Sequence, residues 1–320
     1  MAKPKLIYNL NEAGTFNNGY AADLYEHCFD VLPYDSSKNY NKHNTAFVTK
    51  VLPHETLESK NWLQSWINDG YRVVVDDFWD TRFDEQIYSN NTVLYLRNKN
   101  FFWYNECMWY HQLGYQNYKP QPINDRTFLM MMNLQKNFRD IIFNSVEHLL
   151  DNALYSYLGR GIHIEHDTEL DFDKNPSWQR HMNPTWYDRT CFSLVVETFA
   201  DNGPTFVSEK TYKALAFHHP LLVFGNHGIL SHIRSLGFET YPELFDESYD
   251  KLKIREHRLP IILGTLEHAV RGNINWQDSV LLQKQKHNSK LFFDKPLVIQ
   301  RWHDEINTVI LDWIENEKTR

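Results

Sequence analysis

The chain has 320 residues, more than most single compact domains, and this length favours two domains. Hydrophobic residues make up 42% and charged residues 23%, which is ordinary for a globular protein, and the aromatic content is high at 15%. A formal net charge of −8 argues against extended binding to nucleic acid, because such binding depends on Lys and Arg side chains that neutralise phosphates.

Strand and helix patterns alternate through the first part of the chain. The predicted strands are 5–10, 71–75 and 92–96, and the predicted helices are 21–28 and 59–69. Residues 101–118 are crowded with aromatic side chains and are predicted to form a helix and a loop. This alternation is typical of an α/β domain with a mainly parallel sheet, and we assign residues 1–125 to an N-terminal domain.

A polar stretch with two prolines, 119–125, is predicted to connect two domains. Residues 126–297 are predicted as a second α/β domain, with residues 163–186 as a long loop. Its predicted strands are 127–132, 193–196, 221–224 and 238–241, and its predicted helices are 138–150, 208–217, 228–236 and 259–270. Residues 298–320 are predicted as a C-terminal helix that packs back across both lobes, from apolar positions at helical spacing.

One stretch of the second domain carries the predicted chemistry. Glu197 directly follows a strand, and Ser208 is the predicted N-cap of the next helix. Ligands of open α/β sheets bind at the carboxyl ends of strands, and a helix N-terminus suits a diphosphate. This edge of the sheet is therefore a candidate nucleotide site.

Charged side chains surround that helix start. Lys210 and Lys213 are predicted to neutralise phosphate charge, and Glu197 and Glu209 to accept hydrogen bonds from ribose or sugar hydroxyls. The same spacing also fits a capped amphipathic helix whose Glu and Lys side chains face solvent.

The run from Glu197 through Thr-Phe-Val-Ser-Glu-Lys at 205–210 to Pro220 and an apolar strand resembles the donor-binding segment of fucosyltransferase-type GT-B enzymes and of related viral and phage glycosyltransferase-like proteins. Residues 128–140, and Gly-Phe at 237–238 with Asp-Glu-Ser-Tyr-Asp at 246–250, are similar to that group as well. The resemblance covers residues 126–270. It departs at 134–137, where this chain has Leu-Gln-Lys-Asn in place of the basic turn of the family.

The resemblance implies two Rossmann-like lobes with a cleft between them, a nucleotide-sugar donor held by the C-terminal lobe, and a hydroxyl acceptor. The acceptor can be a glycan, a small molecule or a modified base, and neither a cofactor nor a metal is expected. The donor-binding residues predicted for this chain are Asn133, Lys136, Arg139, Glu197, Ser208, Glu209, Lys210 and Lys213.

A general base must deprotonate the acceptor, and the two-lobe geometry predicts it in the N-terminal domain. Asp76, Asp77 and Asp80 follow the apolar strand 71–75 and are the catalytic candidates. The same run permits a metal-dependent GT-A reading, in which Asp76 and Asp77 hold Mn²⁺ or Mg²⁺, and Asp-Phe-Asp at 171–173 also fits a loose Asp-x-Asp pattern.

Two other classes stay open at this point. The departure at 134–137 allows a non-catalytic carbohydrate- or nucleotide-binding protein on the same fold, and an assembly protein is a third possibility. Three widely spaced cysteines argue against a disulfide framework, and no apolar run reaches membrane-spanning length. A cytoplasmic location is expected, in a host cell if the protein is viral.

Overall fold

The computed structural model describes residues 3–8, 21–33, 38, 40–42, 45–49, 67–77, 87–89, 92–164, 183–272 and 274–316. The chain divides into two compact units. Unit 1 comprises Met1–Gln112 and Lys295–Arg320, and unit 2 comprises Leu113–Asp294. Both units are α/β with mainly parallel sheets, which confirms the predicted fold class at this level.

The strands and helices are numbered along the chain. The strands are β1 Lys5–Tyr8, β2 Asp30–Pro33, β3 Thr45–Thr49, β4 Arg72–Asp77, β5 Ile87–Ser89, β6 Val93–Arg97, β7 Arg126–Met132, β8 Ala153–Tyr157, β9 Thr190–Val196 and β10 Leu221–Phe224. The α-helices are α1 Ala21–Glu26, α2 Phe101–Gln112, α3 Asn137–Val146, α4 Thr185–Asp188, α5 Glu209–Ala216, α6 Ile229–Ser235, α7 Arg255–Arg271, α8 Ser279–Phe292, α9 Lys295–Trp302 and α10 Thr308–Asn316.

The sheet of unit 1 has the order β2-β1-β3-β4-β6-β5, in which β5 runs antiparallel to β6 and the other pairs are parallel. Its core includes Ile7, Phe47, Val73, Val75 and Val93, all buried. These β-branched and aromatic side chains suit a sheet covered on both faces, which explains why β4 reads as a continuous apolar run.

The C-terminal segment completes unit 1. Helix α9, one π-helical turn at His303–Asn307 and helix α10 follow one another, so the described part of the predicted terminal helix, residues 298–316, is helical. Asn307 donates a hydrogen bond to the carbonyl of Leu24, and Arg72 donates to the carbonyl of Ile314. These bonds join the beginning and the end of the sequence within one unit.

The sheet of unit 2 has the order β10-β9-β7-β8, with all three pairs parallel. The register pairs Phe224 with Val196 and Met132 with Tyr157, so the carboxyl ends of the strands form one edge of the sheet. Every residue of β10 is buried. This edge carries the loops in which the predicted donor-binding residues lie.

Unit 2 begins before the predicted domain boundary at residue 125. Gln121 donates its backbone N–H to the carboxylate of Asp188, and Ile123 and Asn124 donate theirs to the carbonyl of Asp188. The proline-containing stretch 119–125 is therefore tied to α4 of unit 2, whereas its composition had indicated a connection between domains.

The predicted strand 238–241 is wrong, because side chains form hydrogen bonds with the backbone N–H and C=O groups that a neighbouring strand would otherwise pair. Asn288 accepts a hydrogen bond from the N–H of Glu239 and donates one to its carbonyl. The N–H of Tyr241 donates to the carboxylate of Glu247. No ladder partner is needed when both polar groups of the backbone are already paired. Among the helices that the structure describes, none is long and apolar enough to cross a membrane.

Candidate functional site

The candidate site lies at the carboxyl edge of the unit 2 sheet, where β9 ends and α5 begins. Ser208 is the N-cap of α5, as predicted, and its hydroxyl accepts a hydrogen bond from the N–H of Lys210. Ser208 is fully buried. The sequence predicts this local geometry because a Ser before an amphipathic run supplies the acceptor that the first helical N–H groups lack.

Glu197 binds the start of α5 from the end of β9. One carboxylate oxygen accepts from the N–H of Ser208, at 3.1 Å, and from the hydroxyl of Thr211, at 2.6 Å. The other oxygen accepts from the hydroxyl of Ser208 and from the N–H of Thr198. The side chain has no exposed surface.

This placement corrects the predicted role of Glu197. Four donors of the protein already occupy its carboxylate, so it is not free to accept a bond from a ribose or sugar hydroxyl. Its negative charge also lies at the N-terminus of α5, where an anionic ligand was expected. Glu197 therefore positions the helix, and a bound phosphate has to be held by other groups.

Two lysines converge on Thr198, the residue after Glu197. The ammonium of Lys136 donates to the carbonyl of Thr198 at 2.7 Å, and the ammonium of Lys210 lies 3.2 Å from its hydroxyl. Lys136 also lies 4.9 Å from the centre of the Phe199 ring. The loop after β7 and the start of α5 thus bring positive charge to one point.

Arg139 is a buried cation close to Lys136. Its guanidinium donates to the carbonyls of Leu134 and Glu197, at 2.8 and 3.1 Å, and the residue is 2% exposed. Burial lowers the pKa of Arg139, although the charges of Glu197 and Glu209 oppose this. Its Nε is buried and has no hydrogen-bond partner within the part of the chain that the structure describes. Arg139 therefore fixes the loop that carries Lys136 and adds a buried positive charge next to it.

The environment of Lys136 weakens its proton affinity. Burial, followed by the neighbouring charges of Arg139 and Lys210, lowers the pKa of Lys136 to about 8. Like charges held close together are costly without an anion between them. The cluster of Lys136, Arg139 and Lys210, called here the cation cluster, is thus suited to bind an anion.

Glu209 and Lys213 complete the charged surroundings of the helix start. Glu209 forms an ion pair with Lys210 at 3.0 Å, and both side chains are largely buried. Burial raises the pKa of Glu209, but Lys210 and Lys213 outweigh it, so the net pKa lies below the ordinary glutamate value. Lys213 is itself buried, and this argues against the alternative of an amphipathic helix with its charges in solvent.

Asn133 follows β7 and is held through its backbone, since its carbonyl accepts from the N–H of Gly159 at 2.7 Å. A Cβ atom on Gly159 would lie 2.4 Å from the backbone nitrogen of Gln135. Only glycine permits this close approach, which fixes the loop between Asn133 and Lys136 against the end of β8.

The catalytic aspartates predicted in unit 1 have different outcomes. Asp76 has no exposed surface, and its carboxylate accepts from the hydroxyl of Tyr25 at 2.8 Å and from the amide of Asn98 at 3.3 Å. This burial gives Asp76 a structural role and argues against it as a base for an external hydroxyl. The backbone of Asp77 ends β4, whereas the Asp77 side chain and all of Asp80 lie outside the described residues.

The metal-dependent reading gains no support from the part of the chain that the structure describes, where no cluster of three or more His, Cys, Asp or Glu side chains could hold a metal ion. Residues 171–173, the second Asp-x-Asp pattern, lie outside that part.

Hydrogen bonds join residues 237–241 to residues 246–250, the two short stretches that share in the family resemblance. Gly237 adopts a left-handed φ of 99° after α6, and Glu247 accepts from Thr240 and from the N–H of Tyr241. Asp250 accepts from the N–H groups of Leu230 and Ser231 and so caps α6. These stretches therefore build the scaffold of unit 2.

Sequence reasoning missed Thr198 and Thr211. Thr198 receives both lysines of the cation cluster, and Thr211 satisfies Glu197. The position of Thr198 directly after a strand-ending Glu is the signal that points to it. Thr211 gave no comparable signal, since its partner lies 14 positions earlier in the chain.

Comparison of the chain with protein-family models, with curated proteins and with solved structures finds no match in any of the three.

Proposed function

We propose that this protein is a glycosyltransferase of GT-B type that transfers a sugar from a nucleotide-sugar donor to a hydroxyl acceptor. The observation that carries the proposal is the convergence of Lys136 and Lys210 on Thr198 at the carboxyl edge of the unit 2 sheet. Ligands of α/β sheets bind at this edge, and paired cations there suit a diphosphate. The resemblance over residues 126–270 supports the same assignment.

In this proposal the acceptor oxygen forms a bond to the anomeric carbon of the donor sugar. The bond between that carbon and the diphosphate oxygen breaks, and the nucleoside diphosphate leaves with the electron pair. Lys136 and Lys210 stabilise the charge that develops on it, and Arg139 keeps the Lys136 loop in place. The proton of the acceptor hydroxyl passes to a base, for which Asp77 and Asp80 are the candidates after the burial of Asp76.

Glu209 is the remaining acidic group at the helix start. Its pKa below the ordinary value keeps it ionised at neutral pH, so it can accept a hydrogen bond from a hydroxyl of the donor. Ser208 and Glu197 act through the helix that they fix. Lys213, buried beside Glu209, contributes charge without a contact to the donor.

The test measures thermal unfolding of the full chain with UDP, GDP, CMP, ADP and dTDP, each with and without Mg²⁺. A ligand bound by the native state alone stabilises it by about 2.7 kcal/mol at one hundred times its Kd. We expect a rise of the Tm with one nucleotide, independent of metal. Lys210→Met should abolish the rise, whereas Lys290→Met, at an exposed position of α8, should preserve it.

A second assay follows release of free nucleoside diphosphate from the sugar nucleotide of the base so identified, with a panel of hydroxyl acceptors. Turnover that Lys210→Met reduces by about 100-fold supports the transferase, because loss of a charge-assisted contact in the transition state costs about 3 kcal/mol. If none of the nucleotides raises the Tm, the proposed site itself is contradicted.

A second candidate function is non-catalytic binding of a nucleotide or carbohydrate on the same fold. Two observations favour it: the burial of Asp76, and the single cation Lys136 in the turn 134–137. It predicts a nucleotide-dependent Tm rise without turnover of any sugar nucleotide. The two assays together therefore separate the two functions.

A further inference from the structure

The opposite edge of the unit 2 sheet contains a cavity of about 230 Å³. It lies where β9 begins, at Thr190, and where the chain enters β10 after His219. Its apolar wall includes the aromatic rings of Tyr187, Phe217 and Trp276. The ring of Trp276 stacks on Phe192 at 5.4 Å and 17°, so it is held in a fixed orientation.

Two residues that line the cavity have a left-handed backbone. Among the described residues, the non-glycine positions with positive φ are Asn124, at 51°, and His218, at 60°. His218 follows the last turn of α5, where the N–H of His219 donates to the carbonyl of Ala214, so its positive φ ends that helix. The end of α5 thereby fixes the position of His218 at the cavity.

Two polar side chains of the cavity have no hydrogen-bond partner among the described residues. Gln285 is 9% exposed and lines the cavity, as does the half-buried His218. The neighbouring His219 differs, because its ring nitrogens contact the hydroxyl of Ser193 and the carbonyls of Tyr187 and Thr190. The amide of Gln285 keeps contact with solvent, since it is not among the buried unpaired polar atoms of the described residues, and it is therefore available to a ligand in the cavity.

The charges around the cavity exclude an anionic ligand. Of the described residues that line it, Asp188 alone carries a full charge, and one of its oxygens accepts from the N–H of Gln121. Burial lowers the pKa of His218 to about 4, so its imidazole is neutral at physiological pH. With one carboxylate and no cation among the described lining residues, phosphate groups are unsuitable.

The cavity is separate from the cation cluster. The strand β9 runs from Thr190 at the cavity to Val196 beside Glu197, and six steps of about 3.3 Å separate its ends by about 20 Å. A nucleoside diphosphate bound at Thr198 cannot reach the cavity at this distance. Occupation of the two places therefore requires two ligands.

We propose that this cavity binds an uncharged nitrogen heterocycle of nucleobase size. The amide of Gln285 and the neutral imidazole of His218 each present a donor and an acceptor, which matches the alternating donors and acceptors on the edge of a nucleobase. The fixed ring of Trp276 provides a stacking surface for a flat ring. A monosaccharide is the competing ligand in the test, because Asp188 and Asn124 also line the cavity and offer acceptors for its hydroxyls.

The test is isothermal titration calorimetry of the full chain with adenine, guanine, cytosine, uracil and their nucleosides, and in a second arm with glucose, galactose and N-acetylglucosamine. We expect at least one heterocycle to bind and the sugars not to bind. Gln285→Leu, which keeps the size of the side chain, should weaken binding at least tenfold. Gln283→Leu, at an exposed position of the same helix, is the matched control and should leave it unchanged.

A second variant keeps the test decisive if Gln285→Leu fails to fold. His218→Gly removes the imidazole and relieves the positive φ, so its Tm should equal or exceed that of the wild type while binding is lost. Absence of heterocycle binding, binding unchanged in these variants, or binding of a monosaccharide instead would overturn the proposal. Lys210→Met should not alter heterocycle binding, so this outcome is independent of the proposed transferase.

Discussion

The two edges of the unit 2 sheet differ in the way they treat charge, although the same strand, β9, connects them. At the carboxyl edge, Lys136 and Lys210 converge on Thr198, and a buried carboxylate, Glu197, lies next to them. At the amino edge, the buried His219 is neutral, and Asp188 is the charged residue of the cavity. The comparison teaches that the carboxyl edge concentrates ionised groups of both signs around a helix N-terminus, whereas the described lining of the amino-edge cavity contains one carboxylate and no cation.

Removal of the buried carboxylate is the strongest way to break this contrast. We expect Glu197→Ala to lower the free energy of unfolding by about 4 kcal/mol, because two backbone N–H groups and two hydroxyls lose their acceptor in a buried place. Urea unfolding measures the change. Glu239→Ala, at an exposed glutamate, is the control and should stay within about 0.5 kcal/mol of the wild type. Equal effects of the two substitutions would contradict the assigned role.

Acid should lower the stability of the fold through His219 at the amino edge. Burial lowers the pKa of His219 to about 4, against 6.5 in the unfolded chain. Between these values the unfolded state binds the proton and the folded state does not, so stability falls as the pH falls from 6.5 to 4. The loss is on the order of 3 kcal/mol for a shift of this size. Urea unfolding as a function of pH measures it.

His219→Gln should reduce this acid dependence without abolishing it, because the glutamine does not titrate whereas His218, whose pKa burial also lowers to about 4, still does. His257→Gln, at an exposed histidine, should leave it unchanged. An acid dependence that persists in full in His219→Gln would show that other groups cause it.

Alkali should weaken the binding of a nucleoside diphosphate at the carboxyl edge. Lys136 has a pKa of about 8, so it loses its proton as the pH rises above that value, and we expect the affinity for the nucleoside diphosphate to fall about tenfold between pH 7 and 9.5. Stability without ligand should change in the opposite direction. Between pH 8 and 10.5 the unfolded state binds more protons at this lysine, so its contribution to stability rises with pH.

Lys136→Arg sharpens this experiment, since arginine stays charged throughout the range. Its diphosphate affinity should be nearly constant from pH 7 to 9.5 when measured by calorimetry. A wild-type affinity that does not decline over the same range would remove Lys136 from the phosphate contact.

The sequence predicted those parts of the fold that depend on local periodicity. Helix α5 and strand β10 were found almost to the residue, because a polar N-cap, an amphipathic run and Pro220 lie in succession. Strand β2 was missed, since Asp30 and Pro33 are poor strand residues that an edge position tolerates. Helix α8 was also missed, although Asp278 caps it.

The candidate site was predicted by residue type and not by role. The position of Glu197 after a strand was right, but its four donors include Thr211, and no local pattern encodes a contact between those two side chains. Likewise, the burial of Asp76 depends on Tyr25, which lies 51 positions earlier. Contacts across such separations follow from the folded arrangement, and a single sequence contains no periodic signal of them.

Unit 1 is assembled from two distant stretches of sequence, whereas unit 2 is continuous, and this has a consequence for biosynthesis. The ribosome delivers all of unit 2 before α9 and α10 emerge, so unit 2 can fold while unit 1 still lacks the bonds to Asn307 and Ile314. During that interval the first 112 residues lack the hydrogen bonds that join Leu24 to Asn307 and Arg72 to Ile314. A nascent chain that stalls before residue 295 would thus expose an incomplete unit 1 to chaperones and proteases beside a finished unit 2.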